Sequence, residues 1–181
     1  MKSFAVAALL MLLLTSTLPI VMAQSSIASL TQNAALEREK AAMLDVIERQ
    51  AATFWAKDFQ GWANTWVHAS YISRSGWSEA GGVSSVEGWD AIGAQMKKHM
   101  ADNPKPNPTP AKIVRDHLTF RIHPDVAWVT FEQHGVSTGE PQVDMPGRSY
   151  ETRIFEKHDG KWKVVHLSYL LAGSPENKPT R

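Results

Sequence analysis

The sequence predicts an α+β fold: a cone-shaped, curved antiparallel sheet with N-terminal helices packed on its concave face. Three observations carry this expectation. Apolar residues recur at helical spacing through the first half, the period changes to two from Ala111, and Asp159-Gly160 joins two β-rich runs. A bent sheet closed by helices leaves an open mouth, and such mouths commonly become pockets.

Residues 1–23 read as an export signal. Lys2 is a short basic region, Phe4 to Leu14 an apolar run, Pro19 a break and Val21-Met22-Ala23 a small-residue cleavage site. The run is shorter than the roughly 20 residues of a membrane span. The expectation is an exported protein, periplasmic or secreted, with no membrane contact after cleavage. Loss of Lys2 would leave 19 − 1 = 18 basic residues against 18 acidic ones, a balance that argues against a nucleic-acid partner. With no cysteine, the chain has no disulfide, thiol nucleophile or cysteine zinc site.

Residues 24–33 are rich in Ser, Thr and Gln and read as a flexible leader to one domain over 34–172. Ala34 to Ala56 is a helix whose apolar stripe holds Leu36, Met43, Ile47, Ala51 and Phe54. Asp58 caps a short second helix with Phe59, Trp62 and Trp66 on one side. Ser70 to Ser75 is a short strand, Gly76 to Gly82 a turn, and Val83 to Val86 its return. Gly88 to Ala101 is a third helix with Trp89, Ile92 and Met96 inward. Four prolines make Asn103 to Pro110 an irregular connector.

Lys112 to Ile122 and Val126 to Val136 form a hairpin. Regular counting sets Phe120 opposite Val129, Leu118 opposite Phe131 and Asp116 opposite Gln133 on the inner face. Arg115, His117, Glu132 and His134 fall on the outer face. Residues 137–147 form a longer loop, and residues 173–181 a polar tail.

In the last hairpin, a type I′ turn at Asp159-Gly160 sets His158 opposite Lys161, Phe155 opposite Val164, Arg153 opposite His166 and Glu151 opposite Ser168. Arg153 and His166 then share a face that is otherwise mostly apolar.

Glu151-Thr-Arg-Ile-Phe followed by Asp159-Gly-Lys-Trp-Lys-Val-Val-His resembles the last hairpin of the nuclear transport factor 2-like superfamily. Within it, the likeness is to the association domain of calcium/calmodulin-dependent kinase II and to small bacterial SnoaL-like domains. Ala56-Lys-Asp-Phe-Gln-Gly-Trp fits as well, and the resemblance spans roughly Leu36 to Leu170. It implies a cystatin-like roll with Arg153 in a deep pocket, and dimers formed through the outer sheet face. The kinase domain's second histidine and second pocket arginine have no counterpart in His166-Leu-Ser-Tyr-Leu170. The superfamily holds isomerases, dehydratases and hydrolases beside non-catalytic binding and oligomerising domains, so fold alone assigns no activity.

Four constellations can carry chemistry. Arg153 offers a planar donor fork suited to a carboxylate, with His166 as acceptor or base beside it; the competing reading is that Arg153 pairs internally. Asp116, inward among apolar groups, would have a raised pKa fit for acid–base work, unless it lies in water at the strand end. Tyr71, Tyr150, Tyr169, Trp62 and Trp66 can line a mouth, with Phe120 and Phe131 as walls. His117, Glu132 and His134 have zinc-ligand chemistry but lack close ligand pairs, so a solvated or interface face is the better reading. The expected function is binding of a small apolar or carboxylated molecule by a homodimer, without cofactor or metal. The alternatives are an isomerase, dehydratase or cyclase using Asp116 or His166, and a non-catalytic oligomerisation domain.

Overall fold

The computed structural model describes residues 18–78, 81–106, 111–137 and 148–171. Residues 1–17 of the export signal, the second half of the proline-rich connector (107–110), the loop at 138–147 and the polar tail lie outside the described residues. The chain divides into two compact units, residues 1–39 and 40–181.

The described part of the first unit is helical, the beginning of α1 (Leu18–Ala56). Residues 24–33, expected as a flexible leader, therefore lie within a helix, and Leu36 is 40% exposed rather than part of a buried stripe. Among the described residues no helix is long and apolar enough to cross a membrane.

In the second unit the remainder of α1 is followed by α2 (Phe59–Ala63), β1 (Ser73–Ser78), β2 (Gly82–Glu87), α3 (Trp89–Asp102), β3 (Ala111–Ile122), β4 (Val126–Ser137), β5 (Ser149–His158) and β6 (Lys161–Leu171). Met43, Val46, Ile47 and Gln50 form the buried stripe of α1, at the spacing that puts residues on one helical face. Asp58 caps α2 by accepting from the Gly61 amide at 2.9 Å. Trp62 and Trp66 lie beyond that cap with ring centroids 5.5 Å apart, and both are buried. The core joins them to Ile72, Ile92, Met96, Val129, Phe155 and Val164, each large apolar side chain contributing about 1.5–3 kcal/mol on burial.

The strands form one open six-stranded sheet in the order β2-β1-β6-β5-β4-β3. It differs from the expected antiparallel sheet in one pair: β1 runs parallel to β6, with Ser73 beside His166 and Gly76 beside Tyr169. The first hairpin is also longer than its glycines suggest, because Gly76 lies inside β1. A Cβ there would come within 2.2 Å of the Tyr169 ring, so the glycine admits a close approach rather than turning the chain.

Two one-residue bulges reset the predicted registers. Asp159 and Gly160 do form the left-handed turn, with φ of 50° and 73°, and Phe155 does face Val164. Beyond Phe155, however, β6 gains a residue at Val165, so Ile154 faces His166, Arg153 faces Leu167 and Glu151 faces Tyr169. At this point β6 exchanges hydrogen bonds with the Thr65–Val67 segment: the Val164 amide donates to the Thr65 carbonyl at 2.9 Å and the Val67 amide to the Val164 carbonyl at 3.0 Å. The next residues pair with β1 instead. The second bulge lies in β3 at His117 and Leu118. Phe120 faces Val129 as expected, but Arg115 faces Gln133 and Asp116 faces Glu132. His117 has φ of 55°, a left-handed value that histidine tolerates better than most residues.

Candidate functional site

The slip at each bulge exchanges inner for outer side chains along the rest of the strand. In β3 it turns Arg115 inward and Asp116 outward; in β6 it turns Leu167 and Tyr169 inward and His166 outward. The inward set meets α1 and α3 around a cavity of about 210 Å³. Ile47, Ala51, Phe54, Trp62, Met96 and Leu167 supply apolar wall, while Gln50, Arg74, Arg115, Gln133, His134, Ser149, Glu151 and Arg153 supply the polar lining.

Apart from Arg74, which donates to Gln95 Oε1 at 3.2 Å, and His134, these groups form one connected network. Glu151 and Arg153 form a 2.6 Å ion pair whose side chains are 7% and 8% exposed. The Glu151 Oε1 accepts from Gln133 Nε2 at 2.6 Å and from Ser149 Oγ at 2.8 Å. Arg153 Nε donates to Gln50 Oε1 at 3.1 Å, and its Nη1 donates to the Thr152 carbonyl at 3.3 Å. Arg115 Nε donates to Gln133 Oε1 at 3.1 Å, and its Nη1 pairs with Glu48. Arg115 Nη2 is buried and without a hydrogen-bond partner among the described residues. The Phe131 ring lies beneath both cations, 5.9 Å from the Arg115 guanidinium and 5.6 Å from that of Arg153. Burial pushes both guanidinium groups down from their ordinary value, and the neighbouring carboxylates oppose that shift. A guanidinium is not deprotonated in a protein, so both remain cations.

The ligand-binding set read from sequence is therefore only partly brought together. Arg153, Trp62 and Tyr169 line the cavity. Trp66 is fully buried in the core, Phe131 underlies the two arginines, and Phe120 is half-buried with Lys40 above its ring. Tyr71 is 59% exposed and donates to Glu156 Oε2 at 2.6 Å, which also raises its phenol pKa. Tyr150 is 50% exposed.

Neither candidate proton carrier lies on the cavity lining. Asp116 faces outward, its Oδ2 3.6 Å from His134 Nδ1, because the β3 bulge moves it off the apolar face. His166 shares a 2.8 Å hydrogen bond with Ser73 Oγ and pairs with Ile154 rather than with Arg153. Burial, and then the positive charge of Arg153, hold its pKa below the ordinary imidazole value. On the outer face Glu132 is taken by Arg148 and by His117, which lies 3.0 Å away. No group of three or more metal-ligating side chains occurs among the described residues.

Regular counting missed Arg115 as an inward residue because it assumes an unbroken ladder. The one local signal was His117, a residue type enriched at left-handed positions. Gln133 and Ser149 become meaningful only once Arg115 and Glu151 are known to flank them.

Comparison with known proteins places this geometry. The family model described as a SnoaL-like domain matches residues 43–172. No curated protein matches the sequence. Among solved structures, a nuclear transport factor 2-like protein with a cystatin-like fold from Novosphingobium aromaticivorans is 16% identical, with TM-score 0.59, over 82% of this chain and 92% of that one. A nuclear transport factor 2-like protein of unknown function from Pseudomonas putida is 17% identical, with TM-score 0.56, over 80% and 94%. A protein assigned as a calcium/calmodulin-dependent protein kinase type II association domain from Thiobacillus denitrificans is 10% identical, with TM-score 0.53, over 71% and 93%. At these identities the likeness concerns the fold alone.

Proposed function

The chain belongs to the SnoaL-like domain family, and from that membership we propose that it is an exported protein holding a small apolar or carboxylated molecule in its cone pocket. One observation carries the reading: a cavity with apolar walls whose lining, among the described residues, sets three guanidinium groups, Arg74, Arg115 and Arg153, against the one carboxylate of Glu151. An apolar site with a few fixed polar groups is the usual form of a small-molecule pocket.

Binding is favoured over proton-transfer chemistry by the state of Glu151. Both of its oxygens are engaged, Oε1 by Gln133 and Ser149 and Oε2 by Arg153. A carboxylate so committed is a poor general base. An isomerase, dehydratase or cyclase using Asp116 or His166 would need either group to reach the cavity. The outer sheet face exposes Trp128, Tyr150 and Leu170, which supports a homodimer as the assembled form and keeps an oligomerisation role as the third reading. Export would remove residues 1–23 and leave Gln24 as the first residue.

Native mass spectrometry of protein purified from its source tests the reading, since it reports assembly, mature mass and retained ligand together. The expected result is a dimer of the cleaved chain carrying a small molecule that Ala51→Phe, a cavity-filling change, displaces. Retention of the same molecule by the Ala51→Phe protein would overturn the pocket assignment.

A further inference from the structure

Resting on the pocket reading above, we infer that the ligand is a monocarboxylic acid of on the order of ten heavy atoms, and that Arg115 rather than Arg153 receives its carboxylate. The two guanidinium groups differ in what they have left to give. Arg153 places Nε on Gln50, Nη1 on the Thr152 carbonyl and Nη2 on Glu151, so each of its nitrogens already has an acceptor. Arg115 places Nε on Gln133 and Nη1 on Glu48, which leaves Nη2 without a partner among the described residues although the side chain is only 5% exposed.

A buried donor without an acceptor costs stability, and an anion arriving in the cavity supplies one in its charged form. The partner at Nη1 is also the most exposed member of the network. Glu48 is 62% exposed, so water competes for its carboxylate and a ligand can replace it. Much of the remaining wall is apolar, including Ile47, Phe54, Trp62 and Met96. A cavity of about 210 Å³ corresponds to roughly seven water volumes, which bounds the body attached to the carboxylate. Arg153, locked to Glu151, acts as a positioning residue: it holds the carboxylate that fixes Gln133, the acceptor of Arg115 Nε.

The experiment titrates the full chain with 3-phenylpropionate and hexanoate, using the two matching primary amides as neutral controls of equal shape. Affinity is read by calorimetry and by the shift in melting temperature. Both acids should bind at least about tenfold more tightly than their amides, the range expected of a charge-assisted hydrogen bond. Arg115→Gln should abolish that preference. Glu48→Gln changes an exposed side chain and removes the negative charge that competes for Arg115, so it should tighten acid binding by roughly threefold. If Arg115→Gln fails to fold, the Glu48→Gln result decides alone, since a purely structural Arg115 predicts no gain. Equal binding of acids and amides in both proteins would overturn the carboxylate assignment and leave the pocket reading standing. Binding of neither class, with or without Glu48, also overturns the assignment; the pocket reading is judged separately by the ligand retained in native mass spectrometry.

Discussion

Glu151 and Arg153, two residues apart on one face of β5, close a 2.6 Å ion pair with less than a tenth of either side chain exposed. A pair at this depth gains little over an apolar replacement, but removing one partner strands the other's charge. Arg153→Met is therefore expected to cost about 3 kcal/mol in urea unfolding. The double change Glu151→Gln with Arg153→Met should recover a large part of that loss, and full additivity in the double-mutant cycle would show that the two groups act independently.

The β3 bulge gives a second prediction. His117 has φ of 55° with its ring on the surface. His117→Gly removes the left-handed strain and should leave stability unchanged or raised by up to about 1 kcal/mol. His117→Val, β-branched at the same angle, should cost about 1–2 kcal/mol. Chemical denaturation of the two variants gives the comparison, and equal stabilities would argue that the backbone there is not bulged.

Gly76 offers a third. Adding a Cβ puts it 2.2 Å from Cε1 of Tyr169, and the ring must leave its place on the cavity wall. Gly76→Ala is expected to destabilise by roughly 1–3 kcal/mol, the range for overpacking. In the Tyr169→Ala background the same change should cost far less, and thermal melts of the four proteins test this.

The histidines set a pH dependence. Burial comes first in holding both His166 and His99 below the ordinary imidazole value of 6.5, aided by Arg153 for His166 and by Lys57 and Arg74 for His99. The unfolded chain then binds more protons than the folded one as pH falls below that value. Their contribution is fully present above about 6.5 and is lost as pH falls toward the folded values. Unfolding measured from pH 7.5 down to 5 should show declining stability, with a shallower slope for the His166→Gln, His99→Gln double variant. An unchanged slope would assign the decline to other groups.

The elements were largely legible because each rests on local chemistry. The period of α1 and α3, the cap at Asp58 and the positive φ values at Asp159 and Gly160 all follow from residues within a few positions of one another. The site was less legible for a single physical reason. Side chains alternate faces along a strand, so one added residue inverts every assignment beyond it. Val165 inverted His166, Leu167 and Tyr169, and the His117–Leu118 bulge inverted Arg115 and Asp116. Arg153 keeps the face counted for it, though not its partner, because it lies on β5, the strand without the insertion. The Val165 bulge depends on hydrogen bonds to Thr65 and Val67, about a hundred positions away in sequence, which no local pattern encodes.

The parallel pairing of β1 with β6 also governs the order in which the protein can form. Ser73 and His166 are 93 positions apart, and β1 lies between β2 and β6 in the sheet. A chain emerging from the ribosome can fold the β1–β2 and β3–β4 hairpins early, since each joins strands close in sequence. The N-terminal hairpin nevertheless keeps an unpaired strand edge until the last strand has been synthesised. During that interval the edge is open to other chains, so crowded synthesis, rather than weakness of the finished core, is where this sheet is exposed to aggregation.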